Sequence, residues 1–345
     1  MSPSILMVIL SSLATGTIIV MTSYHWLFAW LGLEINTLAI IPTIATMHNP
    51  RSTEAATKYF LTQAAASAMI LFSSTINAWQ MGTWNIIDIS STPAHILLTF
   101  ALAMKLGLAP MHFWLPEVLQ GVTLTTALVI STWQKLAPLT LIYLTINNLS
   151  TTILITLGLL SAIVGGWGGL NQTQTRKIMA YSSIAHLGWM LSISSIMVSI
   201  MVFNLLIYLI LTTGLFCFLI LSQSKTIQDT MTTWTLSPMF TSTMMILLLS
   251  LGGLPPLTGF MPKWFILEEL ITQNLSSVAT IMTIATLLSL FFYLRLTYTT
   301  ALTLPPNVIQ TKLKWRLKPT LPTLFLMASS SMSIFFLPMA PLLLP

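Results

Sequence analysis

The sequence predicts an all-α polytopic membrane protein of about eleven transmembrane helices, two of them broken, in an inverted five-helix repeat plus one extra helix. Composition is the first indication, because 55% of the 345 residues are hydrophobic and only 6% are charged. Soluble domains carry about 25% charged residues. The apolar runs extend for about 20 residues, which suits a membrane-crossing helix and exceeds the length of a barrel strand.

The spans are predicted from these apolar runs in chain order. They cover 3–21, 25–45, 59–79, 94–118 (interrupted), 123–144, 150–170, 178–198, 200–222, 238–271 (interrupted), 276–300 and 320–342. Residues 1–345 are predicted to form a single transmembrane domain, with repeats at about 1–147 and 148–300 and a C-terminal helix at about 320–342.

The loop charges support this span count. With eleven spans, every basic loop residue falls on the same side as the N-terminus: Arg51, Lys58, Arg176, Lys177, Lys225, Lys312, Lys314, Arg316 and Lys318. The positive-inside rule then places the N-terminus on the side from which the chain is inserted and the C-terminus on the other.

Several classes of protein are excluded by what the sequence lacks. Its one cysteine, Cys217, cannot form a disulfide within the chain or a cysteine-based zinc or iron–sulfur site. It has neither a GxGxxG nor a GxxxxGK[ST] nucleotide fingerprint. The net charge of +6 indicates no nucleic-acid partner, because the basic residues follow membrane topology.

The two interrupted spans carry the same pattern. GLAPMHFWLPE, from Gly107, and GLPPLTGFMPK, from Gly253, both fit G-L-x-P-x5-P and start 146 residues apart. Proline breaks or kinks a helix, and unwound backbone at membrane depth must be buried in protein or line a watery cavity. Because five spans separate the breaks, the second unit is predicted to be inverted, and matched breaks of this kind mark the transport site of repeat-built transporters.

Four charged residues lie inside apolar runs: Glu34, Lys105, Lys135 and Lys263. A cation at the bilayer centre costs roughly 2.5–3.5 kcal/mol on insertion scales, so such residues are usually paired or hydrated and functional. An opposite charge nearby lowers this cost, so pairing Glu34 with a buried lysine would favour both ionised forms, and such a pair is either functional or purely structural. Burial favours the uncharged form of lysine, so Lys135 can exchange a proton where an arginine could not.

Longer motifs reveal a resemblance to a known family. KLGLAPMHFWLPEV, RKIMAYSSIAHLGWM and LGGLPPLTGFMPKW, with TWQKLAP and NPRSTEAATKYFLTQAAAS, resemble the antiporter-like membrane subunits of respiratory complex I. The matching motifs run from about residue 30 to residue 300. The resemblance implies a role in proton translocation, with Glu34 and Lys105 as a controlling pair, Lys135 as the central relay and Lys263 near the outlet.

Two histidines are weaker candidates for the same relay. His112 lies between the prolines of the first break, where it either passes protons through water or hydrogen-bonds to freed carbonyl groups. His186 shares a helix face with Ser182 and Ser183, so it is either a relay residue or a core histidine with satisfied hydrogen bonds.

The resemblance also implies cofactors, partners and location. NADH, FMN, iron–sulfur clusters and ubiquinone belong to other subunits, and this chain binds no cofactor or metal. Its partners would be neighbouring antiporter-like chains, accessory subunits and lipids such as cardiolipin, in the mitochondrial inner membrane with the N-terminus in the matrix and the C-terminus on the intermembrane side. Two alternatives stay open: a stand-alone cation/proton antiporter and a structural membrane subunit that moves no protons.

Overall fold

A computed structural model describes residues 3–303 and 323–339, and within these ranges the chain forms helices and no β-strand. The helices are α1 Pro3–Thr22, α2 Trp26–Ile44, α3 Pro50–Met81, α4 Thr92–Leu106, α5 Trp114–Gly121, α6 Leu124–Ser131, α7 Trp133–Thr145, α8 Thr151–Gly169, α9 Thr175–Ser194, α10 Val198–Ser222, α11 Ile227–Leu236, α12 Pro238–Gly252, α13 Phe260–Thr272, α14 Ser276–Leu302 and α15 Leu324–Phe335. The predicted all-α membrane fold is confirmed.

The predicted spans each correspond to helices. Seven helical segments in the described residues are long and apolar enough to cross a membrane when α6 and α7 are counted together as Leu124–Thr145, and α4, α12 and α15 are shorter apolar helices. The loop cations Lys312, Lys314, Arg316 and Lys318, and both ends of the predicted span 320–342, lie outside the described residues.

The chain folds as two compact units, Met1–Ser161 and Ala162–Pro345. In the first unit, α2 packs between α1 and α3, and α3 also packs against α4 and α5. In the second unit, α10 packs against α9, α12 and α15, while α14 packs against α12. The division falls within α8, close to the predicted boundary between the repeats; the inverted relation of the repeats stays a prediction.

The packing of α1 on α2 depends on two glycines. A Cβ atom added to Gly16 would lie 2.9 Å from the Gly32 carbonyl oxygen, and one added to Gly32 would lie 2.8 Å from the Gly16 carbonyl oxygen. Neither distance leaves room for a side chain, so the two backbones touch directly. Small residues allow this close approach between membrane helices.

Both predicted helix breaks are present and end in the same backbone turn. Gly107 has φ 76° and Gly253 has φ 80°, the left-handed conformation that glycine adopts without a Cβ clash. In the first break the N–H groups of Gly107 and Leu108 donate to the Ala103 carbonyl; in the second, those of Gly253 and Leu254 donate to the Leu249 carbonyl. The two breaks therefore share a hydrogen-bond pattern as well as a sequence pattern.

The predicted span 123–144 corresponds to Leu124–Thr145, which is long and apolar enough to cross a membrane, with a one-residue interruption at Thr132 between α6 and α7. The Thr132 hydroxyl donates to the Leu128 carbonyl at 2.7 Å, and Thr132 departs from helical geometry at φ −114° and ψ −70°. Threonine hydroxyls that bond one turn back bend helices. Lys135 consequently lies in the first turn of α7 rather than in the middle of a continuous helix.

The short helix α11 was not predicted. It begins with a capping box, in which the Thr226 hydroxyl accepts from the Asp229 N–H and the Asp229 carboxylate accepts from the Thr226 N–H at 2.8 Å. This backbone hydrogen bond from Thr226, with a further one from Lys225, holds the pKa of Asp229 below its usual range. Thr226 and Asp229 have the T-x-x-D spacing that marks a helix start, so the signal was present in the sequence.

Candidate functional site

The three buried lysines keep their predicted isolation from solvent. The exposed fraction is 6% for Lys105, 4% for Lys135 and 8% for Lys263. Lys105 and Lys135 lie in the first unit and Lys263 in the second.

Lys105 lies in the last turn of α4, just before the first break. Its position favours a positive charge, because the carbonyl end of a helix carries partial negative charge. Its Nζ atom has no hydrogen-bond partner among the residues that the structure describes.

The ion pair that the resemblance implies for Glu34 and Lys105 stays a prediction. Within the described part of the chain no salt bridge joins them, although the two groups interact electrostatically. The Glu34 carboxylate instead accepts hydrogen bonds from the Ser67 hydroxyl of α3 and from the Thr37 hydroxyl, the latter at 3.0 Å. Because these hydroxyls satisfy the carboxylate locally, Glu34 acts on Lys105 through its charge alone.

Lys105 and Lys135 line one cavity of about 20 Å³ in the first unit. This is enough room for one water molecule. Five polar side chains share its wall with the lysines: Asn36, Thr37, Tyr59, Gln63 and Gln134. The sequence prediction missed this set, although each of its members has a polar group inside a predicted span, which is a usable signal.

His112 lies in the first break, and its ring Nδ1 is 3.3 Å from the Pro110 carbonyl oxygen. Its ring also packs against Phe113, with centroids 4.2 Å apart. Of the two alternatives for His112, this geometry matches hydrogen bonding to a freed carbonyl group.

In the second unit, Lys263 reaches back across the second break. Its Nζ donates to the Gly252 carbonyl at 2.8 Å and to the Leu251 carbonyl at 3.4 Å. These carbonyls belong to the last turn of α12, where intrahelical donors are absent. Lys263 therefore closes the end of α12 with charge as well as hydrogen bonds.

His186 lies in the same unit and shares a cavity of about 10 Å³ with Lys263, Asn204 and Tyr208. The Tyr293 hydroxyl is 3.4 Å from His186 Nε2, and the Tyr208 ring centroid is 5.4 Å from that of the imidazole. The tyrosine hydroxyls interact in turn with the α9 serines, Tyr293 with Ser182 and Tyr208 with Ser183. Sequence reasoning identified the polar face of α9 but missed both tyrosines.

A surface charge cluster joins α3 with α5. The Lys58 ammonium lies 2.5 Å from Glu54 and 2.6 Å from Glu117, and all three side chains are substantially exposed. Surface ion pairs of this kind contribute little stability. Among the described residues, no group of three or more histidine, cysteine, aspartate or glutamate side chains is arranged to hold a metal ion.

Comparison with known families covers nearly the whole chain. Residues 23–289 match the family described as NADH:quinone oxidoreductase/Mrp antiporter, TM. The chain belongs to this family of membrane proteins. Residues 290–344 match a second family, described as NADH dehydrogenase subunit 2 C-terminus. The predicted family resemblance is confirmed.

Two similar relatives are named NADH-ubiquinone oxidoreductase chain 2. The protein of Polypterus ornatipinnis is 55% identical over 341 residues, covering 99% of this chain and 98% of the relative. That of Xenopus laevis is 54% identical over 344 residues and covers 100% of both chains.

Two solved structures have the same fold. A chain of respiratory complex I from Thermus thermophilus with bound aureothin has a TM-score of 0.83 and 26% identity, covering 96% of this chain and 77% of that one. A chain of the Mrp complex from Dietzia sp. DQ12-45-1b has a TM-score of 0.80 at 16% identity, covering 96% of this chain and 74% of that one, which shows the fold alone.

Proposed function

We propose that this chain is a membrane-arm subunit of proton-pumping NADH:ubiquinone oxidoreductase and that its buried lysines carry protons. One observation carries the second part: Lys105 and Lys135 line a single cavity. The charge of Glu34 also acts on Lys105. A scaffold gains nothing from the cost of burying these charges. The redox chemistry itself, with NADH, FMN, iron–sulfur clusters and ubiquinone, belongs to other subunits.

The coupling step in this proposal is electrostatic. Glu34 is only half-buried, so a charge on a neighbouring subunit can act on it. Two unit charges about 4 Å apart interact by about 4 kcal/mol at an effective dielectric of 20. Glu34 and Lys105 are further apart than the charged atoms of a salt bridge. An interaction only a third as strong as the 4 kcal/mol above nevertheless shifts a proton-binding equilibrium about tenfold. A proton leaving Lys105 then has Lys135 on the same cavity wall as its acceptor.

The second unit has its own proton-exchanging group in this proposal, Lys263, with His186 on the same cavity. Lys263 exchanges its proton with the imidazole or with water when its hydrogen bonds to the end of α12 loosen. His112 is assigned a structural hydrogen bond rather than a relay step, because its ring faces the Pro110 carbonyl.

The proposed setting is the mitochondrial inner membrane, with the N-terminus in the matrix and the C-terminus on the intermembrane side. The one-sided basic loops support this orientation. The partners are neighbouring antiporter-like chains, accessory subunits and lipids such as cardiolipin.

Replacing Lys135 by Met in the assembled complex tests the relay. The Lys135→Met complex should assemble but move fewer protons per electron in proteoliposomes, because methionine fills the space without carrying a proton. Lys225→Met, at an exposed loop lysine, is the matched control. An unchanged proton-to-electron ratio in Lys135→Met, with normal assembly, would mean that the chain is a structural subunit.

The stand-alone antiporter is the second candidate, and the description of the chain's family, which includes the Mrp antiporter, favours it. Reconstituting the purified chain by itself separates the two. Cation/proton exchange without a redox partner would support the antiporter, whereas exchange only in the assembled, NADH-driven complex supports the proposal.

A further inference from the structure

The helix α15 lies outside both predicted repeats, yet its end bonds to the second break. The Thr258 N–H, within the break, donates to the Ser333 carbonyl of α15 at 3.1 Å. Both residues are buried, with exposed fractions of 3% for Thr258 and 0% for Ser333. Ser333 is one of the last four residues of α15, where carbonyl groups run out of intrahelical donors. The end of α15 therefore supplies an acceptor to the interrupted backbone.

The same segment of the break is joined to the helix that carries Lys263. The Thr258 carbonyl accepts from the Met261 N–H, in the first turn of α13, at 3.2 Å. The next residue, Gly259, lies against α12, because a Cβ atom added there would overlap the carbonyl oxygen of Ser250. Thr258 and Gly259 are therefore held between α12, α13 and α15, just before Lys263 in sequence.

A glycine of α10 allows α15 to lie where it does. A Cβ atom added to Gly214 would overlap the hydroxyl oxygen of Ser329 and lie 2.8 Å from the Ser329 Cβ. Ser329 is buried and lies about one turn before Ser333 in α15. Because small residues permit such close approach between membrane helices, a side chain at Gly214 must displace α15 and its Ser333 carbonyl.

The first break has no equivalent support. At the repeat offset of 146 residues, Thr258 corresponds to His112. Within the described residues the His112 N–H donates to no backbone carbonyl, and the N–H groups of Gly107 and Leu108 bond back to α4. The bond from α15 is thus an addition to the chemistry that the two repeats share. Consistently, α15 lies beyond residues 23–289, the part that matches the antiporter family.

We infer that α15 positions Lys263: its Ser333 carbonyl holds the Thr258 N–H, and the held segment sets where α13 begins and where the Lys263 ammonium meets the end of α12. The inference rests on the proposed proton exchange at Lys263 and adds to that site a helix from outside the repeats. Such positioning matters for proton exchange, since a misplacement of about 1 Å can slow a reaction about 100-fold.

The Gly214→Ala variant of the assembled complex tests this inference. Its added methyl group pushes against Ser329 and should lengthen the hydrogen bond from Thr258 to Ser333. Amide hydrogen exchange in peptides covering residues 254–262 should then accelerate about tenfold, because a weakened hydrogen bond opens more often. The protons moved per electron in proteoliposomes should fall. The double variant Gly214→Ala/Ser329→Gly removes the obstructing side chain and should return both quantities towards wild type.

The matched control is Gly166→Ala, whose added Cβ would lie 2.9 Å from the Leu288 Cβ, at a contact of α8 with α14 rather than with α15. A merely structural effect would lower the amount of assembled complex in both variants without changing exchange at Thr258, and that result overturns the inference. Should Gly214→Ala fail to assemble, Ser329→Thr adds one methyl group at the same contact and should shift exchange and proton ratio in the same direction. Control values in Ser329→Thr would then overturn the inference.

The Lys263→Arg variant separates this inference from the proposed function. If Gly214→Ala accelerates exchange but keeps the proton ratio of the control, while Lys263→Arg lowers that ratio, α15 does not position Lys263 and the inference fails. If Lys263→Arg also keeps the control ratio, the proposed proton exchange at Lys263 is itself wrong.

Discussion

The two broken helices end in the same glycine turn, yet their lysines have different surroundings. In the first unit Lys105 precedes the turn, and its Nζ makes no hydrogen bond to any described residue. In the second unit Lys263 follows the turn and returns to bind two carbonyls at the end of α12. The charge of Lys105 is influenced by Glu34 and by the cavity, whereas the amino group of Lys263 hydrogen-bonds to backbone carbonyls.

This difference shows that two helix breaks with the same backbone turn need not give their lysines the same role. The turn itself is backbone chemistry, and both copies retain it. Lys263 combines a structural hydrogen bond with a buried charge, so its substitution affects the fold as well as proton movement. Substituting Lys105 removes no hydrogen bond to a described residue, so the effect on proton movement can be separated from an effect on the fold.

Lys263→Met gives the largest expected loss of stability. It leaves the Gly252 and Leu251 carbonyls without their donor, and hydrogen bonds to charged groups contribute about 1.5–3 kcal/mol. A lower unfolding temperature of the complex in detergent would be the measured result. Lys263→Arg retains donors but cannot release a proton at neutral pH, so it should recover more stability than proton transport. Equal stability of Lys263→Met and wild type would contradict the capping role.

The two turn glycines provide the next test. An alanine at either position adopts a left-handed conformation, which costs roughly 1–2 kcal/mol. The added Cβ of Gly253→Ala would lie 2.9 Å from Lys263 Nζ, but that of Gly107→Ala would lie 2.9 Å from a methyl group of Leu115. Both variants should lose stability in thermal unfolding, and Gly253→Ala should lose proton uptake beyond the loss in Gly107→Ala. Equal uptake in the two variants would remove the distinction between the breaks.

Lys105→Met should have the smallest effect on stability, below about 1 kcal/mol, because no hydrogen bond of Nζ is lost. The Glu34 carboxylate keeps its hydrogen bonds from Ser67 and Thr37 in this variant. The complex should therefore assemble normally while its NADH-driven proton uptake falls. A destabilisation as large as that of Lys263→Met would show that Lys105 also has an essential structural contact.

Local chemistry explains which features could be predicted from sequence. Glycine and proline determine the backbone around Gly107 and Gly253, so both breaks could be located from their motifs. Thr132 is harder, because a threonine in a membrane helix bonds one turn back without always interrupting it. The break before Lys135 was missed for that reason.

Packing between helices explains what could not be predicted. Ser67 lies on a different helix from Glu34, and nothing near Glu34 in sequence indicates that its carboxylate would accept a hydrogen bond from this serine hydroxyl. The cavity lined by Lys105 and Lys135 has the same origin, since Asn36, Gln63 and Gln134 come together in its wall only when α2, α3 and α7 pack. Buried polar residues can be recognised one at a time, but their meeting point depends on tertiary packing.

The close approach of α1 and α2 at their glycines has a consequence for how sharply Glu34 is placed. Gly16 and Gly32 let the α1 and α2 backbones approach closely, and Glu34 follows Gly32 by half a helical turn. Side-chain rotamers fluctuate on the picosecond to nanosecond scale. A contact between two backbones involves no rotamers and does not fluctuate in this way. The glycine contact therefore fixes the backbone that carries Glu34 against α1, while the distance from the carboxylate to Ser67 still depends on the rotamers of the two side chains.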